Sequence, residues 1–382
     1  MRVKKNFCHR PFTEMHIEEN GNITPCCVMP SNIYFVANGI DNYLKSDKLR
    51  EIKKAFLNNE QHPYCQFCWD AEKNRVHSHR TNDKVNLSFL RKIHLRFNNV
   101  CNFKCRICNP KFSSTWTEEN KKHKYFEDEY TVEKNIFEST QGIKDLILEN
   151  RSTLKAINIS GGEPLITKLN YAFLNFLIEN KLTHIKLEYS TNLSTLDYNG
   201  IDLLSLFSKF DSVALSASID GYGKHVEYSR AGFNWKNFVS NLYKARSYVK
   251  SLICVVSIYS VYSIPQLQYF AEKNNFKVSY QPCLYPQFLS AQSLLIKEKL
   301  QIVKFYDSVK IAGHLNNYTL IRENVLNYML RQNLSTYQDI GLDEMNCNKE
   351  FKNFNTILDK TREESFTDIF PQFKDWYENI NA

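Results

Sequence analysis

The chain has 382 residues, enough to bury a full core and to hold more than one folding unit. Hydrophobic content is an ordinary 43%, and the net charge of +8 is spread without a long block of like charge, which excludes a polyelectrolyte tail and leans only weakly toward acidic partners. The most apolar run, "SLICVVSIYSVYSI", falls short of the roughly 20 residues a membrane span needs, and the start "MRVKKNFCHRPF" lacks a signal peptide's apolar segment; the expectation is a cytoplasmic protein with no membrane partner.

In chain order, residues 1–88 read as short, irregular and cysteine-bearing, with a hairpin turn at "GNIT" and one helix at "SDKLREIKKAFLNN". From about residue 90 apolar strands alternate with amphipathic helices. The strands are "KIHLRFNNV", "LKAINISGG", "HIKLEYSTN", "SVALSASID", "ICVVSIYS" and "FKVSYQPC", with helices at "LNYAFLNFLIENK" and "WKNFVSNLYKARSYV" between them. Six strands separated by helices predict parallel βαβ units in an α/β fold, as an open doubly wound sheet or a partial barrel. A polar, charged insertion covers 111–138, and from 291 onward the pattern is helical. The division expected is 1–88, 89–290 and 291–382.

Eight of the eleven cysteines precede residue 109, and only Cys254, Cys283 and Cys347 follow it. In a reducing compartment such clustering points to metal or redox chemistry rather than disulfides. "NNVCNFKCRICNP" places Cys101, Cys105 and Cys108 after the first strand of the alternating region, where the C-terminal strand ends of βα barrels gather catalytic groups. Iron–sulfur clusters and structural zinc sites both want four ligands, and Asn109 and Pro110 offer no fourth; a zinc knuckle borrowing a distant ligand also fits.

"CNFKCRIC" resembles the C-x3-C-x2-C motif of radical S-adenosylmethionine (radical SAM) enzymes. The resemblance implies a partial (β/α)6 TIM-type barrel and a [4Fe–4S] cluster on Cys101, Cys105 and Cys108, whose fourth iron binds S-adenosylmethionine. It also implies reductive cleavage to a 5′-deoxyadenosyl radical that abstracts hydrogen from substrate. Ile107 takes the slot beside the adenine. "ISGGEP" resembles the family's GGEP motif, although a glycine turn opening a helix would also explain it. By resemblance Gly161 and Gly162 let backbone approach the methionyl group and Glu163 accepts from its ammonium. "YSTNLS" brings Asn192 near the cofactor, "SASIDG" brings Ser218 and Asp220, Arg230 in "HVEYSRAG" matches an arginine near the cofactor carboxylate, and Ser257 is a ribose candidate.

A second set comprises Cys8, Cys26, Cys65 and Cys68, with Cys27 as an alternative to Cys26. The spacing from Cys8 through Gly21 to Cys26, followed by the C-x2-C pair "CQFC", resembles the twitch and SPASM domains that bind auxiliary iron–sulfur clusters; a zinc ribbon uses C-x2-C as well. Four thiolates imply one closed auxiliary [4Fe–4S] cluster suited to electron transfer. His9, His62, His77 and His79 read as structural or surface residues. Relatives with such domains mostly modify peptides or proteins, so a peptide or protein substrate is expected, with a reductant such as flavodoxin or ferredoxin. Radical modification of a nucleotide, tRNA or small carbohydrate or cofactor precursor is the alternative enzyme reading, and a zinc-bearing binding protein the non-enzymatic one. The absence of an aromatic–basic strip argues against a nucleic-acid partner. Cys283, ending the sixth strand, reads as a cavity cysteine or a small buried hydrophobe. Asp359 and Arg362 read as an i, i+3 ion pair.

Overall fold

The computed structural model describes residues 5–29, 40–73, 78–80, 86–126, 141–283, 285–311, 321, 325–330 and 343–380; His77 lies outside them. The chain begins with β1 (Glu14–Ile17), turns at Gly21 into β2 (Ile23–Thr24), and continues through α1 (Asp47–Leu57) and α2 (Gln66–Lys73). The alternating region follows as β3 (Lys92–Arg96), α3 (Ser114–His123), α4 (Gln141–Glu149), β4 (Ala156–Ser160), α5 (Lys168–Glu179), β5 (Lys186–Thr191), β6 (Val213–Ser218), α6 (Trp235–Lys244), β7 (Val249–Val256), α7 (Ile264–Lys273) and β8 (Val278–Pro282). Two longer helices, α8 (Ile296–Ile311) and α9 (Glu344–Arg362), lie in the C-terminal region.

Strands β3 to β8 lie side by side in chain order and every pairing among them is parallel. The sheet stays open, with β8 at one edge and β2 at the other. Alternation explains its two faces. Ile93, Leu95, Ile157, Ile159, Leu187, Tyr189, Leu215 and Ala217 are buried on the helix-covered side, where Tyr189 donates to Asn170 of α5 (2.8 Å). The intervening Asn158, Ser160, Glu188, Ser216 and Ser218 are only half-buried and Ser190 is exposed, so the opposite face is polar over these strands and only partly covered.

Residues 1–88 do not stand apart from this sheet. β1 pairs in parallel with β3, Glu14 opposite Lys92 and Ile17 opposite Leu95, and β2 closes the hairpin antiparallel. Met15 and Ile17 extend the buried apolar row of β3, and their strand covers what would otherwise be a free edge. On the far side, Phe351, Phe354 and Leu358 of α9 are buried, Phe366 and Phe370 pack around Tyr228 and Tyr259, and Phe373 packs on Phe366 and Tyr262, tying the C-terminal region to the sheet.

Candidate functional site

The loop after β3 is held closed by its own polar side chains. Buried Asn99 donates to the Pro110 carbonyl (3.0 Å), and the Cys101 amide donates to Ser114 Oγ at the start of α3 (3.2 Å). Cys105 belongs to a short bridge, Lys104–Cys105 against Arg230–Ala231, which puts the Arg230 backbone beside Cys105. Its carbonyl accepts from the Trp116 indole (2.7 Å), and the Cys108 amide returns to the same carbonyl (2.9 Å). The thiols lie within one another's fields. Burial, then the neighbouring Cys105, pushes Cys101 up to about 12; burial, then Cys105 and Cys101, raises Cys108. Thiols so placed ionise when a cation compensates them, as ligand iron does, and this donor set fits a cluster with three protein ligands.

The loops at the neighbouring strand ends close down on this loop. Gly161 and Gly162 both have positive φ (84° and 48°). A Cβ on Gly162 would fall 2.2 Å from the Val100 carbonyl oxygen, and one on Gly161 would fall 1.9 Å from Arg96 Cγ. The Glu163 amide donates to the same Val100 carbonyl (2.7 Å). Glu163 is fully buried: Oε1 accepts from the Leu165 amide (3.0 Å) and Thr191 Oγ1 (2.7 Å), and Oε2 accepts from the Asn192 amide. Burial pushes its carboxyl up to about 7 despite these donors. Its nearest work is therefore to lock the end of β4 to the end of β5, leaving one lone pair of Oε2 for an external donor. Asn192 in turn donates to Asn102 Oδ1 inside the cysteine loop (3.0 Å).

Farther along the sheet, Ser218 ends β6 and Asp220 follows it, fully buried. Asp220 bridges two elements, accepting from Arg230 Nε (2.7 Å) and from the Val255 amide (3.0 Å). Arg230 thus meets a protein carboxylate first. Ser257, just beyond β7, is fully buried and its hydroxyl has no hydrogen-bond partner among the described residues, an orphaned polar atom that suits a ligand hydroxyl. Ile107 is half-buried against the core. Cys283 is buried too, its carbonyl accepting from Tyr328 (3.0 Å).

Cys8, Cys26, Cys65 and Cys68 border one small cavity together with Arg10, Tyr64, His79 and Arg80. Exposed Cys27 lies outside that lining, since neighbouring residues point apart. Burial pushes Cys26 up to about 12 against an amide bond from Val28. The Cys65 thiol is raised by burial and then by Cys26, Cys8 and Cys68. Among the described residues no three His, Cys, Asp or Glu side chains converge on a single metal ion; the four cysteines instead surround a volume, and a polynuclear thiolate-held group fits that donor set. His79 lines the cavity, while His9 and His62 hold local turns.

Sequence reasoning passed over Arg106, which sits inside the cysteine motif with no exposed surface. It also placed Asp359 and Arg362 in one ion pair. The structure corrects this: Asp359 accepts from Arg106 (2.6 Å), while Arg362 pairs with Glu119 of α3 (3.0 Å). Helical spacing offered a partner one turn away, but burial against the cysteine loop supplied better-placed ones. The only signal available was a charged residue inside an otherwise ligand-bearing motif.

The family profile described as the radical SAM superfamily matches residues 95–262, and that of the SPASM iron–sulfur cluster-binding domain matches residues 8–69. No curated protein matches the chain. Solved structures similar to it include native anSMEcpe with bound AdoMet, 17% identical over 59% of this chain and 62% of that one, with a TM-score of 0.39. SuiB of Streptococcus suis bound to the precursor peptide SuiA is 15% identical over 73% of this chain and 62% of that one, with a TM-score of 0.39. TYW1 with a lysine–pyruvate adduct is 14% identical over 68% of this chain and 89% of that one, with a TM-score of 0.32. The chain thus spans 62% of both the anSMEcpe and the SuiB chains. Both profiles fall on the cysteine sets described above: the chain carries a radical SAM domain over residues 95–262, preceded by a SPASM iron–sulfur cluster-binding domain over residues 8–69.

Proposed function

We propose that this protein is an enzyme that modifies a peptide or protein held along the polar face of the sheet, with residues 1–88 serving an auxiliary [4Fe–4S] cluster that exchanges electrons with the substrate. When bound, the cluster on the cysteine triplet and S-adenosylmethionine supply a 5′-deoxyadenosyl radical. Cys101, Cys105 and Cys108 would hold the cluster, with S-adenosylmethionine as its remaining ligand. The flush contact of Gly162 with Val100 keeps the methionyl side open to backbone. Asn192, Ser218, Asp220, Arg230 and Ser257 would border the cofactor, Ile107 would lie on its adenine side, and Glu163 would accept from its ammonium. Cys8, Cys26, Cys65 and Cys68 close the auxiliary site, so its part is electron transfer rather than substrate ligation. A flavodoxin- or ferredoxin-type protein would deliver the starting electron.

The observation that carries the substrate class is the polar face of the sheet. In a filled barrel the inward positions are bulky and branched. Here Ile253 and Val255 are, but Asn158, Ser160, Glu188, Ser190, Ser216 and Ser218 on the same face are polar, with Ser190 opposite Ser216 and Ser216 opposite Ser251. Hydroxyls that both donate and accept suit an extended polar chain with amide groups to satisfy. The test is anaerobic incubation of reduced enzyme with S-adenosylmethionine and a candidate peptide encoded beside its gene, following 5′-deoxyadenosine and peptide mass. A peptide-dependent rise in 5′-deoxyadenosine with a mass change is expected. Stimulation by a tRNA fraction and not by peptide would overturn the substrate class, and no 5′-deoxyadenosine at all would overturn the chemistry.

A further inference from the structure

Arg106 lies between two cluster cysteines, yet every partner of its side chain belongs to a distant part of the chain. Nη1 donates to Asn355 Oδ1 (2.6 Å), Nη2 to Asp359 Oδ1 (2.6 Å) and Glu364 Oε2 (2.5 Å), and Nε to the Tyr228 carbonyl (3.3 Å). The guanidinium stacks on the Tyr228 ring at 3.8 Å. Its acceptors are themselves fixed: Asp359 by the Tyr228 hydroxyl (2.7 Å) and the Phe366 amide (2.8 Å), Asn355 by the Tyr259 hydroxyl (3.0 Å). The Arg106 amide adds a bond to the Ser229 carbonyl (2.7 Å), next to the bridge between Cys105 and Arg230.

A second contact runs in parallel. Arg362 pairs with Glu119 and lies 5.0 Å over the Trp116 ring, Trp116 donates to the Cys105 carbonyl, and Phe354 stacks on Trp116 at 6.3 Å. α9 therefore reaches the cysteine loop at two points on either side of Cys105.

We infer that Arg106 is a positioning residue through which α9 holds the cysteine loop in its cluster-binding shape, so that iron binding at Cys101, Cys105 and Cys108 and docking of α9 are linked. The inference rests on the radical SAM reading of the triplet. Its physical basis is that a buried cation shared by two carboxylates, an amide and a carbonyl is complete only when loop and helix are together; separating them leaves buried charge unpaired. Lysine lacks the planar fork that reaches four acceptors at once. Linkage is reciprocal: whatever fixes the loop must favour the docked helix by the same factor.

Hydrogen exchange measured on full-length metal-free and iron-loaded protein tests this directly. In wild type, iron loading should slow exchange across 344–364 by about tenfold. In Arg106→Lys that slowing should vanish. A chelator should then strip iron from the triplet about tenfold faster and the EPR line shape of that cluster should broaden, while the auxiliary iron, whose cavity is lined only by residues 8–80, is lost at the wild-type rate. Asp359→Asn, which keeps the guanidinium and its other acceptors, carries the same expectation at smaller size if Arg106→Lys does not accumulate folded. The inference is overturned if iron loading leaves exchange in 344–364 unchanged, if both variants keep triplet iron as wild type does, or if the two sites lose iron equally fast. A wild-type protein taking up iron only at the auxiliary site would overturn the triplet reading together with this one, and that result is visible without any variant.

Discussion

Gly162→Ala is the sharpest single perturbation of the cofactor side. The residue sits at φ +48°, where an alanine costs about 1–2 kcal/mol. The new Cβ would lie 2.2 Å from the Val100 oxygen and 2.8 Å from the Asn99 carbonyl carbon, both backbone atoms that no rotamer change can move aside. Relief requires the 98–101 segment to shift, which breaks the Glu163 amide bond to Val100, a further loss of about 0.5–1.5 kcal/mol. The sum is about 1.5–3.5 kcal/mol, and because the displaced segment carries Cys101, cofactor binding should suffer beyond stability. Gly223→Ala is the control: φ is +57° but nothing lies within 4 Å of its Cβ, so only the conformational cost applies. Denaturant unfolding of the metal-free proteins and S-adenosylmethionine binding to the loaded ones separate the two effects. Gly162→Ala should be the less stable variant and bind the cofactor at least tenfold more weakly, while Gly223→Ala binds normally. Equal binding by both would refute the close-approach argument.

Replacing Cys101, Cys105 and Cys108 together by Ala should remove about half of the bound iron, one of two clusters, and abolish 5′-deoxyadenosine formation; persistent formation would contradict the triplet's role. At the auxiliary site, Cys26→Ala should lose that cluster's iron whereas Cys27→Ala retains it, because Cys26 lines the cavity and Cys27 does not; iron analysis showing the reverse would exchange the two ligands. His16 is buried, and burial, helped by Arg96, His94 and Lys111, lowers it to about 3 from 6.5. The unfolded chain then binds a proton that the folded chain refuses, so stability present above pH 6.5 is lost as pH falls, by about 2 kcal/mol between pH 6.5 and 5. His16→Gln should flatten this part of the metal-free protein's denaturant-derived pH profile, and an unchanged slope would count against the burial argument.

Both cysteine sets could be read from the sequence. Ligand spacing is local, so three cysteines within eight positions and the pair Cys65 and Cys68 are legible without a fold. The six parallel strands were legible as well, because Ile157, Ile159, Leu187 and Tyr189 alternate with polar neighbours that face the open side. Tertiary structure decided what no spacing encodes. It put Cys26 and not Cys27 on the cavity, since which of two adjacent side chains faces a cavity depends on the turn that carries them. It drew β1 into the barrel sheet, since a short strand of mixed polarity declares its partner only when the edge of β3 is there to pair with. It gave Asp359 to Arg106 and Arg362 to Glu119, across some 250 residues of chain. Buried charge seeks whichever opposite charge is nearest once packing is complete, and that is a property of the assembled core rather than of helical repeat.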